Sequence, residues 1–175
     1  MEGMQTQHDP TATTPRLGRY EIDPVRSRVS FRTRHLFGLG PVRGTFAIQA
    51  GTVHVSEPLA DSGVYAEIDV ASFHTGNPQR DARVRSARFL NAREYPLMTF
   101  AALPADLSGD TITGTLTVRD VERPVQLTIT GLEVSGAAFT ASASARIDRT
   151  EFGVTVSPGL AGRYLDLQLE IRCTR

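Results

Sequence analysis

The stretch SRVSFRTRH, Ser27–His35, has the strict alternation of apolar and polar residues that is typical of a half-buried β-strand. One face of this run carries Val29, Phe31, Thr33 and His35. The same alternation recurs from Gly18 onward in roughly nine short runs, which are separated by Gly, Pro, Asp and Asn. Such spacing favours an antiparallel barrel or sandwich over βαβ units. The predicted fold class is therefore all-β, and the alternation leaves open whether the strands form a barrel or a sandwich.

One segment interrupts this pattern. FHTGNPQRDARVRSARFLNAREYP, residues 73–96, places five arginines within fourteen positions. We expect a short helical segment at about residues 77–93, with Asn77 as the N-cap, Pro78 at the first helical position and Asp81 in the first turn. Because this segment does not continue the sheet, we expect it to lie across one end or side of the barrel as a lid or portal.

Several inward positions carry very small side chains. Ala141, Ala143 and Ala145 alternate along one strand, and Gly44, Ala66 and Gly114 are also predicted to face inward. Protein interiors are close-packed, so small residues on several strands, offset by Phe31, Phe46 and Phe139, indicate room for an apolar ligand. The alternative is that small residues face large ones across a solid core.

Composition limits the classes of function. The chain has 175 residues and a formal net charge of zero, so we expect one domain, residues 18–175, and no nucleic-acid partner. Residues 1–17 lack periodicity and are predicted to be a flexible N-terminal arm. We find neither an apolar signal-peptide core nor an apolar run near eighteen residues, so we expect no membrane span and a cytoplasmic location. The one cysteine, Cys173, excludes an internal disulfide and any CxxC zinc site.

Sequence signatures of enzymes are not found. GLGPVRG, residues 38–44, has the wrong glycine spacing for a dinucleotide loop, and a strand follows it rather than a helix. There is no GxSxG motif, and the four histidines have no metal-ligand spacing. The expected protein is therefore not an enzyme and holds neither a metal nor a cofactor, although a bound lipid is compatible with this expectation.

Four ordered motifs resemble the YceI-like lipid-binding family. They are YEIDPVRSRVSFRTRHLFGLGPVRGTF at residues 20–46, TGNPQRDARVRSARFLNAREYPLMTF at 75–100, GTLTVRDVERPVQL at 114–127 and IDRTEFGV at 147–154. The sequence departs from the family pattern in that no apolar signal-peptide core is visible in residues 1–20, and it has neither a lysine nor a tryptophan near Tyr20. It also has VRDVERPV where the family usually has a glycine and a threonine before the Pro-Val pair.

The resemblance implies an all-β, antiparallel lipocalin-like β-barrel of about eight strands. Such a barrel binds a polyisoprenoid or similar amphiphile in an apolar tunnel, often as a homodimer. A quinone or a polyprenyl phosphate is the expected ligand type. Together with the residues predicted to face inward, the resemblance predicts a set of ligand-contacting residues. These are Phe31, His35, Phe46, Ile68, Phe73, Arg80, Val84, Phe89, Leu90, Leu116, Ala141 and Ala143.

The arginines of the central segment allow two interpretations. In the first, some of them meet the polar head of the ligand at the mouth of the tunnel, where His35 would also lie. In the second, they form a solvated helix face, with Arg80 and Asp81 tying the helix to the barrel, and His35 is simply hydrogen-bonded in place.

Three alternatives to lipid carriage stay open at this level. In the first alternative, the protein is a scavenger of hydrophobic small molecules. In the second, it is an enzyme that acts on an isoprenoid through His35 or a lid arginine. In the third alternative it is an interaction module with a solid core. The last alternative predicts that there is no cavity.

Overall fold

The computed structural model of the protein describes residues 13–35 and 38–175. It contains nine strands and one α-helix. The strands are β1 Gly18–Ile22, β2 Arg28–His35, β3 Gly40–Val55, β4 Gly63–His74, β5 Leu97–Ala102, β6 Thr111–Val118, β7 Val121–Ser135, β8 Ala138–Asp148 and β9 Tyr164–Thr174. The helix, α1, spans Pro78–Arg85, and short 3-10 turns cover Leu59–Asp61 and Arg149–Phe152.

The nine strands form eight positions of a closed antiparallel barrel. The sheet runs β3-β2-β9-β8-β7-β6-β5-β4 and returns from β4 to β3. Strands β1 and β2 share the position between β3 and β9, since β2 pairs with one half of β3 and β1 with the other. The all-β fold predicted from the alternation is confirmed, and so is the barrel that the family resemblance implies.

Strand β3 is longer than the sequence pattern indicates. The alternation of apolar and polar residues is interrupted near Gly51, but the strand continues through this residue and absorbs two irregularities against β4 at Thr45–Ala47 and Ile48–Ala50. Gly51 lies against β1, where a Cβ atom would approach Ile22 Cδ1 to 2.5 Å. This glycine therefore permits close packing within a continuous strand instead of ending it.

The antiparallel order divides the strand connections between two ends of the barrel. The helix-bearing connection, residues 75–96, lies at the same end as residues 119–120 and 149–163, and this is called the helix end. Residues 56–62, 103–110 and 136–137 lie at the opposite end. The predicted arm of residues 1–17 falls largely outside the described residues. Of its described part, Arg16 and Leu17 accept hydrogen bonds through their carbonyls from Tyr20 and Arg175.

Helix α1 begins as predicted but ends earlier. The Asn77 side chain accepts a hydrogen bond from the backbone N–H of Arg80 at 3.1 Å, and Pro78 is the first helical residue. The helix stops at Arg85, short of the predicted boundary near residue 93, because Ser86 is extended and the chain turns back. The N–H groups of Leu90 and Ala92 then satisfy the carbonyls of Val84 and Arg85.

Candidate ligand-binding site

The barrel encloses a cavity of about 990 Å³. Its wall is formed mostly by aliphatic and aromatic side chains that point inward from the strands. Such a volume lies at the upper end of the range for small-molecule pockets, roughly 300–1,000 Å³. The solid core that the interaction-module alternative requires is therefore not present.

The cavity is not centred in the barrel. On the side of β2 and β3, the inward residues Val29, Phe31 and Ile48 are almost fully buried. Phe31 stacks on Phe73 with a centroid distance of 5.4 Å, and Phe46 packs against both rings. On the side of β7 to β9, inward residues such as Leu127 are only half-buried, since they border open space. The open lumen therefore lies against β7, β8 and β9.

Every residue predicted to contact the ligand lies on the wall of this cavity. The set comprises Phe31, His35, Phe46, Ile68, Phe73, Arg80, Val84, Phe89, Leu90, Leu116, Ala141 and Ala143. Val84, Phe89 and Leu90 reach the wall from α1 and the turns after it, so this segment covers the helix end of the lumen. Their contact with a ligand stays a prediction.

The small inward residues have two different roles. Ala143 lies between Ile129 and Leu169 in register, and the missing side-chain bulk at this point is part of the cavity. Gly44 and Gly114 do not create space in this way. The ring of Phe31 occupies the place of a Gly44 side chain, and the ring of Phe100 does the same at Gly114. For these two glycines the expectation of free volume is wrong, because an aromatic ring fills each gap.

Polar side chains meet the lumen at the helix end. His35, Arg80 and Arg83 all line the cavity there. Arg80 donates through Nε to Thr75 Oγ1 at 2.8 Å, which leaves its terminal nitrogens for other partners. Arg83 is exposed, and within the described residues its guanidinium has neither a hydrogen bond nor an ion pair. The mouth of the cavity therefore presents positive charge.

Other parts of the central segment are structural. The buried Asp81 carboxylate accepts hydrogen bonds from the Thr75 backbone at 3.1 Å and from its hydroxyl, and it lies 3.6 Å from His74 Nδ1. Arg85 donates to the carbonyl of Phe73 instead of reaching the lumen. Within this segment, the structural interpretation therefore fits Arg85, whereas contact between Arg83 and a ligand head stays a prediction.

Sequence reasoning missed Arg149. This half-buried side chain donates to the carbonyls of Gly162 and Val154, both at 2.7 Å, and to that of Ala161 at 3.2 Å. Burial lowers the pKa of its guanidinium below the ordinary value. Arg149 thereby holds the 153–163 connection over the helix end, where it also borders the cavity. The IDRTEFGV motif was the available signal, but its spacing alone assigns no role to the arginine.

Groups that would support covalent or metal chemistry are poorly placed. Cys173 is fully buried, and burial raises the pKa of its thiol to about 12, so the thiolate is scarcely populated near neutral pH. Across residues 13–35 and 38–175, His, Cys, Asp and Glu side chains form no group of three that could hold a metal ion. The same part of the chain contains no helix with the length and hydropathy needed to cross a membrane.

A closed antiparallel barrel around a large apolar lumen defines a lipocalin-like class of hollow barrels, which accommodate small ligands inside. Within this class the chain belongs to the YceI-like family, whose domain matches residues 20–173. It is 33% identical over 163 residues to protein YceI of Escherichia coli, covering 87% of this chain and 84% of that protein. The predicted family is confirmed.

Solved structures support the same fold. BcnA of Burkholderia cenocepacia has a TM-score of 0.74 at 24% identity, over 87% of this chain and 99% of that one. A polyisoprenoid-binding domain of Saccharophagus degradans has a TM-score of 0.65 at 15% identity, over 91% and 99%. At these identities the two structures show that the fold is shared, and they do not identify a ligand of this chain.

Proposed function

We propose that this protein binds an isoprenoid-type amphiphilic lipid, such as a quinone or polyprenyl phosphate, and sequesters or carries it without chemical change. The observation that carries the proposal is the apolar cavity of about 990 Å³ with arginines at one mouth. An elongated apolar ligand with a polar head matches both features. The name of the Saccharophagus degradans domain, which has the same fold, adds support.

The affinity would come mainly from the apolar chain. Each five-carbon unit has on the order of 100 Å² of apolar surface, so its burial contributes roughly 2–3 kcal/mol before entropy losses. The half-buried wall of β7 to β9 supplies the surface that such units would cover. A few units therefore suffice for firm binding, and selectivity would come from the length of the lumen and the mouth.

Arg83 and Arg80 are the proposed partners of the head group. A phosphate or quinone oxygen at the mouth would accept charge-assisted hydrogen bonds from these guanidinium groups. Arg83 is the stronger candidate, since Arg80 already donates its Nε–H to the Thr75 hydroxyl. His35 also lines the cavity at this end and offers a further polar group.

The chemistry of the wall favours binding over catalysis. The described residues that line the cavity include arginines, one histidine and several hydroxyl or amide side chains, but no carboxylate. A paired acid and base is thus lacking among them, and the Cys173 thiol is held protonated by burial. The homodimer, the cytoplasmic location and the freedom from a cofactor stay predictions. Light scattering, cell fractionation and absorption spectra of the purified protein would test them.

The decisive experiment is native mass spectrometry of protein purified from its own host, followed by organic extraction of what dissociates. We expect a defined mass increment that extracts as a prenyl lipid. A clean apo mass that does not change on adding a prenylated quinone or a polyprenyl phosphate contradicts the proposal. Equal competition by unrelated apolar compounds would instead identify a scavenger, and release of an altered lipid would identify an enzyme.

The head-group assignment has its own matched pair of variants. Arg83→Ala removes a guanidinium that lines the cavity, whereas Arg88→Ala removes an exposed one that does not line it. We expect Arg83→Ala to weaken binding of a polyprenyl phosphate by about tenfold, in line with the loss of a charge-assisted hydrogen bond. Binding of the matching polyprenyl alcohol should change little. Equal effects of the two variants would contradict the assignment.

A further inference from the structure

The two ends of the barrel differ in charge, although the chain as a whole is formally neutral. The helix-end connections 75–96 and 149–163 contain seven arginines and three carboxylates. The opposite connections 56–62 and 103–110 contain four carboxylates and no basic residue. Arg16 and Arg175 offset part of that negative charge near the chain termini. The positive end is the one where α1 covers the lumen.

Part of this positive charge points into solvent. Arg88 and Arg93 follow α1 and are exposed, and within the described residues their side chains have neither hydrogen bonds nor ion pairs. They do not line the cavity, but Arg88 directly precedes Phe89, which does. By contrast, Arg119 donates to the Phe89 carbonyl at 2.9 Å. The exposed pair thus forms an outward-facing basic edge of the mouth.

Exposed apolar side chains lie at the same end. Leu39, in the connection between β2 and β3, is 85% exposed, and Leu160, in the 149–163 connection, is 54% exposed. The two connections are neighbours, since Gly162 packs directly against Thr33 and Arg34 at the end of β2. Leu160 also borders the cavity. Leucines that protrude at the same end of the barrel as exposed arginines provide the apolar and basic groups that bind an anionic membrane surface.

We propose that the helix end docks on the surface of an anionic lipid bilayer, with Leu39 and Leu160 in the interface and Arg88 and Arg93 against the lipid head groups. The mouth then faces the bilayer, so a long apolar chain passes between membrane and lumen without crossing water. This inference rests on the proposed function, because a docked mouth serves transfer only if the lumen carries a lipid. The occupant is the bilayer surface itself, to which the basic edge is complementary in charge.

Vesicle flotation of the full chain tests the docking surface. The vesicles are phosphatidylcholine alone, and phosphatidylcholine mixed with phosphatidylglycerol, each in low and in high salt. We expect binding to the mixed vesicles only, weakened by salt because the attraction of arginines to anionic lipids is screened. Arg88→Glu combined with Arg93→Glu should reduce the bound fraction by at least tenfold, since each basic residue near such a surface contributes roughly fivefold. Leu39→Ser should reduce it by about tenfold.

Matched controls separate the edge from overall charge and hydrophobicity. Arg16→Glu with Arg26→Glu changes the net charge equally, away from the helix end, and Val25→Ser removes a 91% exposed apolar residue from the β1–β2 loop. These variants should float like the parent protein. Equal losses in both sets, or no flotation of the parent protein with anionic vesicles, would overturn the docking surface.

A parallel titration with a prenylated quinone in solution keeps the two proposals distinct. Arg88, Arg93 and Leu39 do not line the cavity. The variants at these positions should therefore bind the quinone with the same affinity as the parent protein. Quinone binding without flotation overturns the docking surface and leaves the proposed function in place. Charge-dependent flotation without binding of any prenyl lipid supports the surface and contradicts the proposed function.

Discussion

The ring of Phe31 lies over Gly44, its cross-strand partner, and takes the space that a side chain would occupy there. A Cβ atom at Gly44 would approach Phe31 Cε1 to 2.7 Å and the carbonyl oxygen of His74 to 2.6 Å. The glycine therefore lets the ring lie flat against the sheet and stack on Phe73. The aromatic cluster is thereby packed against β3, while the half-buried residues of β7 to β9 border the open lumen.

Gly44→Ala should destabilise the protein and disturb the lumen together. The new methyl group has to displace the Phe31 ring, which costs about 1–3 kcal/mol of the free energy of unfolding, as overpacking in cores does. Urea unfolding measures this loss. Gly131→Ala is the matched control, since its Cβ would come no nearer than 3.7 Å to Ser142 and its substitution should cost little. Equal stability of the two variants would show that the ring does not depend on Gly44.

Periodicity was sufficient to predict the strands and their inward faces, whereas the choice of a barrel over a sandwich came from the family resemblance. Residues such as Phe31, Phe46 and Leu116 line the lumen because alternation assigns them to one face, and a closed sheet has only one interior. The closure is less visible in the sequence. Nothing in the pattern shows that β1 and β2 share one position, since this depends on where β3 and β9 extend past their partners.

Alternation does not measure volume, which is why the glycines were misjudged. A small inward residue leaves space only if no neighbour fills it, as at Ala143, and it leaves none where a ring lies over it, as at Gly114. The role of Arg149 also depends on distant neighbours. Its carbonyl partners lie five to thirteen residues away in an irregular connection, whose path no periodic signal describes.

Ala143→Phe should block part of the lumen without unfolding the barrel. The new ring points into open space, so we expect the free energy of unfolding to change by less than about 1.5 kcal/mol. Affinity for a prenylated quinone should fall roughly thirtyfold, equivalent to losing the burial of one five-carbon unit. Ser144→Phe, on the outer face of the same strand, is the control for isothermal titration. Unchanged affinity in Ala143→Phe would place the ligand elsewhere.

Arg149→Ala should release the 153–163 connection from the helix end. Three carbonyls lose a charged donor, so we expect a loss of about 2–4 kcal/mol in the free energy of unfolding and faster proteolysis within this connection. In Arg149→Lys the ammonium group is a single point charge, so this variant should restore only part of the lost stability. Arg163→Ala is the comparison, because the Arg163 side chain, which pairs with Asp148 at 2.9 Å, is 58% exposed and its ion pair should contribute only about 1 kcal/mol. Similar proteolysis of both alanine variants would contradict the anchoring role of Arg149.

Asp81 should make the free energy of unfolding decrease at acid pH. Burial alone would raise the pKa of this carboxyl, but hydrogen bonds from the Thr75 hydroxyl and backbone outweigh it, and the pKa lies below its ordinary value of 3.8. The folded state therefore binds this proton more weakly than the unfolded chain. Its contribution to stability is complete above the ordinary pKa and is lost as the pH falls through the lower folded value.

Asp81→Asn separates this contribution from general acid denaturation. The amide keeps the shape but lacks the charge, so we expect a loss of about 1–3 kcal/mol at neutral pH. That difference from the parent protein should shrink as the pH falls below the ordinary value of 3.8, because the parent Asp81 then becomes protonated as well. Urea unfolding across this range measures it, with Asp120→Asn in the exposed β6–β7 turn as the control. A pH-independent difference between Asp81→Asn and the parent protein would show that the Asp81 charge does not support the start of α1.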